Sequence, residues 1–109
     1  MSNASCQLIL CTCPTSAIAE QLASLLIDQR LAACINIVPG LTSIYRWQGK
    51  VEKDTEVLLL IKTTQDRYAA VANAIQQHHP YELPEIIAVP IIAGFDRYLS
   101  WIDTSTQIE

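Results

Sequence analysis

Apolar residues recur along this chain with two different periods, and the switches between them divide it into elements. Gln7–Thr12 alternates, with Gln7, Ile9, Cys11 and Cys13 on one face and Leu8, Leu10 and Thr12 on the other, as in a strand. Pro14 ends that strand, and Thr15 or Ser16 is placed to cap a helix. The helical stripe is Ile18, Leu22, Leu25, Leu26 and Gln29, apolar except at its last position. A second strand spans Ala33–Val38, breaks at Pro39-Gly40 and resumes as Leu41–Trp47; the pair reads as a bulge in one long strand. Gln48-Gly49 is a two-residue hairpin turn, and Lys50–Thr64 is the returning strand. That strand carries charge at Lys50, Glu52, Asp54 and Glu56, a solvated face, and turns fully apolar from Val57 to Ile61. Thr64–Gln77 returns to helical spacing, with Tyr68, Val71, Ala72 and Ile75 on one stripe. Pro80 disfavours helix at His79, and Pro84 forces an extended entry into a last strand, Ile86–Ile92. Gly94 ends it, and Asp96 can cap a short helix bearing Tyr98, Leu99, Trp101 and Ile102.

The order is βαββαβ plus a C-terminal helix, an α+β chain. Folded as a ferredoxin-like sandwich, its strands take the spatial order 4-1-3-2, and the last strand lies on an edge where Pro90 is tolerated. The hairpin arms are about 14 residues, roughly 45 Å extended, while the outer strands cover about half of that. The hairpin therefore projects with unpaired edges, which predicts a partner chain seated on them. Residues 1–109 are expected to form a single domain, with 1–6 flexible.

Composition sharpens this. Half of the 109 residues are apolar and only 17% charged, a rich core for a short chain, some of it suited to burial against another subunit. The net charge is −4, and the basic residues are scattered from Arg30 to Arg97, so no basic stripe offers itself to nucleic acid. No run approaches the ~20 apolar residues of a membrane span, and the start Met1-Ser2-Asn3-Ala4 lacks the features of a signal peptide. A cytoplasmic location follows as the expectation. Cys6, Cys11, Cys13 and Cys34 include no Cys-x-x-Cys pair, and all lie in apolar runs; Cys6 and Cys34 read as small core residues.

The candidate chemistry sits at the two prolines. His78 and His79 are the only histidines, adjacent and at the end of a helix, where they can also serve the helix dipole. Imidazole and carboxylate suit copper(II), which the first-row order favours over zinc, and a thiolate strengthens binding while threatening to reduce the ion. Tyr45 and Trp47 read as packing at a subunit contact, and Lys62 as a partner for a carboxylate such as Glu85. An enzyme would need a nucleophile with a base, and the sequence offers only Cys11 with a histidine; there is no Gly-rich phosphate loop and no Ser-His-Asp signature. The expectation is a binding protein, not an enzyme.

Several segments together then carry a resemblance: Leu10-Cys11-Thr12-Cys13-Pro14, Arg30-Leu31-Ala32-Ala33-Cys34, Tyr45-Arg46-Trp47-Gln48-Gly49-Lys50, Lys62-Thr63-Thr64, His79-Pro80-Tyr81 with Pro84-Glu85, and Tyr98-Leu99-Ser100-Trp101. In this order, covering Leu8 to Trp101, they resemble the CutA family of divalent-cation tolerance proteins. The resemblance implies a trimeric ferredoxin-like fold and copper(II) binding in the response to metal ions. It carries the metal ligands over to Cys11, His78 and His79, with Glu56 as a neighbouring carboxylate. Cys13 departs from the commonest form of the strand motif and places a second thiol nearby, able to compete for metal or to form a disulfide. The alternative is a trimeric module resembling nitrogen-regulatory P-II proteins, binding a small anion between subunits.

Overall fold

The computed structural model describes residues 5–107, and the strand pattern read from the sequence is laid out in it with few changes. The elements are β1 (Cys6–Cys13), α1 (Ser16–Asp28), β2 (Cys34–Trp47), β3 (Lys50–Thr64), α2 (Tyr68–His78), β4 (Ile87–Pro90) and α3 (Asp96–Ser105), with a single 3-10 turn, Gln65–Arg67, leading into α2. Four strands form one antiparallel sheet in the order β2-β3-β1-β4, a ferredoxin-like arrangement. Of the segment 1–6 expected to be flexible, residues 1–4 lie outside the described residues. Ser5 and Cys6 are tied in: the Ser5 carbonyl accepts from the Gln65 amide, and Cys6 begins β1 opposite Thr64.

Local chemistry explains most boundaries. The Thr15 hydroxyl accepts from the Ile18 amide and caps α1. At the other end Arg30 takes a left-handed φ of 60°, Leu31 N–H bonds the Leu26 carbonyl and Arg30 N–H that of Ile27, so the helix closes in a Schellman turn. In the hairpin, Gln48 (φ 51°) and Gly49 (φ 81°) both adopt positive φ, the twist that suits a two-residue connection. The predicted bulge is present: Val38 pairs with Leu58 and Leu41 with Glu56, so Pro39 and Gly40 oppose Val57 alone. Gly40 supplies the φ of 76° that this requires. Strand β4 is shorter than Ile86–Ile92, because Pro90 closes the ladder; beyond it only the Ile91 amide reaches back, to the Cys6 carbonyl. Helix α3 starts after Phe95 with no side-chain cap, and Asp96 is its first residue.

The core lies between one sheet face and helices α1 and α2. Ile9, Cys11 and Cys13 of β1, Val57, Leu59 and Ile61 of β3, Ala19, Leu22 and Leu26 of α1 and Val71, Ala74 and Ile75 of α2 meet there. The opposite face carries Leu8, Leu10, Val38, Leu58, Leu60, Ile87 and Val89 by register, and these are only half buried or exposed. Helix α3 covers one end of it, with Ile102 fully buried and Arg67 Nε donating to the Thr106 carbonyl. Lys62 opens onto this end and meets Tyr98, 3.4 Å away, and not Glu85: the register sets it beside Leu8 and Cys34, away from the segment that holds Glu85. Residues 57–64 of β3 pair with β1, whereas its first seven residues pair only with β2, so the hairpin does project, and the molecule measures 48 × 25 × 21 Å.

Leu22 sits in the core at 1% exposure, and Leu22→Ala should cost about 2–5 kcal/mol. Thr15→Ala, which removes only the cap, should cost about 1 kcal/mol. Urea unfolding of both variants measures the difference; equal losses would mean that α1 is held by its end and not by its buried face.

Candidate metal centre

The last turn of α2 separates the two histidines. His78 is still helical, exposed, and its Nδ1–H donates to the Ala74 carbonyl at 2.9 Å. His79 is extended (ψ 138°), as the following proline demands, and its ring swings inward to 8% exposure. The Tyr81 amide donates to His79 Nδ1 at 3.1 Å. Nε2 must then carry the proton, and it donates to the Thr12 carbonyl at 2.8 Å. The ring is thus a neutral imidazole with both nitrogens engaged, stacked obliquely on Tyr81 at 4.7 Å between centroids.

Beside it, β1 points two thiols to the core side. Cys11 and Cys13, both with no exposure, lie with His79 so that one donor atom of each falls within 4.8 Å of the others. All four cysteines are free thiols. The closeness of the two thiols, Cys13 acting on Cys11, pushes Cys11 above the ordinary thiol range, with burial and the charges of Glu85 and Glu56 adding, and draws Cys13 down.

Of the four residues expected as ligands, the structure gathers Cys11 and His79. His78 is held outward by its own helix. Glu56 is close but engaged elsewhere: it is buried at 6% exposure, against the solvated face expected, and accepts from the Tyr81 hydroxyl at 2.5 Å. Its burial comes from the 79–85 segment folding over it, which alternation along β3 cannot show. Cys13 is the donor that the metal assignment left out, although its signal was present, since residues i and i+2 of a strand share a face.

A cleft of about 700 Å³ opens between this segment and the hairpin, lined among others by Thr12, Tyr45, Trp47, Glu56, Tyr81 and Glu85. Among the described residues that line it, Arg46 is the one cation, against Glu56, Glu82 and Glu85. Tyr45 donates a short hydrogen bond to Asp54, which pushes its phenol up to about 12. Burial, then the bond to Glu56, pushes the Tyr81 phenol higher still.

A folded-state phenol raised above the unfolded value of ~10 stabilises fully below that pH and loses its contribution as pH climbs toward the folded value. Stability should therefore fall above about pH 10. Tyr81→Phe should flatten that fall and, by leaving buried Glu56 without its donor, cost about 1–3 kcal/mol at neutral pH. Urea midpoints against pH for both proteins test this; identical slopes would remove Tyr81 as the cause.

Known proteins share this layout. The family model of the CutA1 divalent ion tolerance protein matches residues 7–105. A divalent-cation tolerance protein CutA of Thermus thermophilus is 48% identical over 100 residues, covering 92% of this chain and 97% of its own. The crystal structure of CutA1 from Oryza sativa superposes with a TM-score of 0.94 at 39% identity, covering 98% of each chain. A structure from Archaeoglobus fulgidus, described as a periplasmic divalent cation tolerance protein CutA, does so at 0.91 and 36% identity, covering 94% of this chain and 99% of that one.

Proposed function

The chain belongs to the CutA1 family of divalent ion tolerance proteins, and we propose that it serves divalent-cation tolerance as a homotrimer that binds copper(II) at Cys11 and His79. The observation that carries the metal reading is the meeting of a buried thiol pair with a neutral imidazole, the protonation state in which imidazole ligates. The donor set fits copper. Nitrogen and sulfur ligands both suit it. Binding at the ring exchanges one of its backbone hydrogen bonds, to Thr12 or to Tyr81, for the metal. Entry runs past the edge of His79, because the thiols themselves have no exposure. Glu56 lends negative charge from the cleft, and His78 contributes nothing.

The trimer rests on the uncovered sheet face and the projecting hairpin. Ile44 (67% exposed) and Val51 (65%) stand on the arm, and Ile87 and Val89 on the open face. Apolar side chains so exposed suit burial against a partner, and copies of this chain offer matching ones. Four free thiols suit a reducing compartment, which supports the cytoplasm. The role is binding and not turnover: His79, the base nearest a thiol, has both nitrogens committed to the backbone. The anion-binding alternative is disfavoured by a cleft with three glutamates and one arginine.

Light scattering on a size-exclusion peak should give about three times the 12.1 kDa chain. Val51→Asp should lower that mass, and a stable wild-type monomer at micromolar concentration would end the assembly reading. In calorimetric titrations under anaerobic conditions, Cys11→Ala or His79→Ala should weaken copper(II) binding by about tenfold or more, and His78→Ala should leave it unchanged. Affinity should fall with pH, since the ligands must shed protons to bind. Full affinity in the Cys11→Ala, His79→Ala double variant would refute the site.

A further inference from the structure

Cys13 adds a second buried thiol to this site. The thiols of Cys11 and Cys13 and a ring nitrogen of His79 lie within 4.8 Å of one another, and each residue is at least nine-tenths buried. Three donors around one ion, with metal–sulfur bonds near ~2.3 Å and a metal–nitrogen bond near ~2.0 Å, sit roughly 3.5–4 Å apart, so closing on an ion needs only a small contraction. Among the described residues this cluster has no fourth ligand, since Glu56 lies outside it and is bonded to Tyr81. Zinc(II) in a closed site wants four donors, and copper(II) favours tetragonal nitrogen and oxygen surroundings. A dry set of two sulfurs and one nitrogen suits copper(I), a soft ion content with few ligands.

The spacing also protects the pair as ligands. Cys11 and Cys13 are alternate residues of a paired strand, opposite Leu59 and Val57. Their Cα atoms stand about 6.7 Å apart at strand rise. That is the far end of the range a disulfide spans, about 4.4–6.8 Å. While β1 stays in the sheet, bridging the two sulfurs is unfavourable, so the dithiol is poorly placed to give up its electrons to the metal.

We propose that the Cys11–Cys13–His79 cluster is a copper(I) site, holding copper(I) more tightly than copper(II) because of the second thiol. The inference rests on the copper reading above and refines which ion is retained. No electron transfer is involved: copper(I) enters already reduced, thiol protons leave to solvent, and copper–sulfur and copper–nitrogen bonds form.

The test is anaerobic competition of the full chain against a chromophoric copper(I) chelator, set beside copper(II) titration without reductant, for wild type, Cys13→Ala and Cys11→Ala. Alanine at 13 replaces a small buried side chain and adds no unpartnered polar atom, and circular dichroism confirms that the variant folds. Wild type should bind copper(I) more tightly than copper(II); Cys13→Ala should lose about 100-fold in copper(I) affinity and change little for copper(II). X-ray absorption at the copper edge supplies a readout independent of affinity: two sulfur neighbours in wild type and one in Cys13→Ala. One sulfur in wild type, or copper(I) affinity indifferent to Cys13, would overturn this inference and leave copper binding standing. Binding of neither ion would overturn both.

Discussion

His79 leaves the helix because Pro80 follows it, and that turn swings its imidazole beneath the Thr12 carbonyl, 2.8 Å from Nε2. Everything at this end of the molecule is set by that bond and its mate from the Tyr81 amide. A neutral ring bridging two backbone groups ties the end of α2 to the end of β1 and fixes the segment that must cross to β4. With the ring in place, Tyr81 is carried over to Glu56, and the thiols of Cys11 and Cys13 are roofed. Without it, two backbone groups would lose their partner, and the segment that brings Tyr81 to the buried Glu56 carboxylate would lose its anchor. Burial of that many polar groups is stable only when nearly all are satisfied.

The same bonds decide what kind of chemistry the site can do. A general base needs a free lone pair facing substrate, and this imidazole has none. A metal ligand needs a neutral ring that can exchange one modest hydrogen bond for a stronger bond. Backbone hydrogen bonds are worth about 1 kcal/mol net, well below what a metal–nitrogen bond returns. The arrangement therefore suits the proposed metal better than acid–base use, with the backbone tie holding the ring near the thiols.

Much of this frame could be read from residue order. Period-two runs, the Pro39-Gly40 interruption and the Gln48-Gly49 turn located the strands, the bulge and the hairpin, because each is a local backbone demand. Pro90 was read as tolerated inside an edge strand; in the structure it ends that strand, since a residue without an amide hydrogen closes the ladder. Side-chain direction at the hinge was not legible in the same way. His78 and His79 are neighbours in sequence, yet one remains helical and the other does not, and only the extended backbone at His79 turns its ring inward. Glu56 looked solvated because Lys50, Glu52, Asp54 and Glu56 alternate along β3; its burial depends on a loop that arrives from far along the chain. Cys13 was legible in register with Cys11, but its partner across the core was not.

These features coincide at one level of the sheet, and the coincidence has a cause. Strand β1 ends at Cys13, opposite Val57, so Glu56 is the first residue of β3 that has β2 alone for a neighbour. The bulge falls opposite the same Val57, bending β2 where the sheet narrows from three strands to two. Below that level, the sheet is held by the helices and is closed to water on one face. Above it, the arm is a two-stranded ribbon with exposed Ile44 and Val51, which a lone chain would leave bare. Cys11, Cys13, His79, Tyr81 and Glu56 form the joint between the two regimes. Any ion taken by the cluster would act on the Thr12–His79–Tyr81 tie, and Tyr81 is bonded to the first residue of the arm. Two hydrogen bonds, from the Tyr81 amide to His79 and from the Tyr81 hydroxyl to Glu56, thus span the joint, and the surface proposed for assembly begins where the proposed metal centre ends.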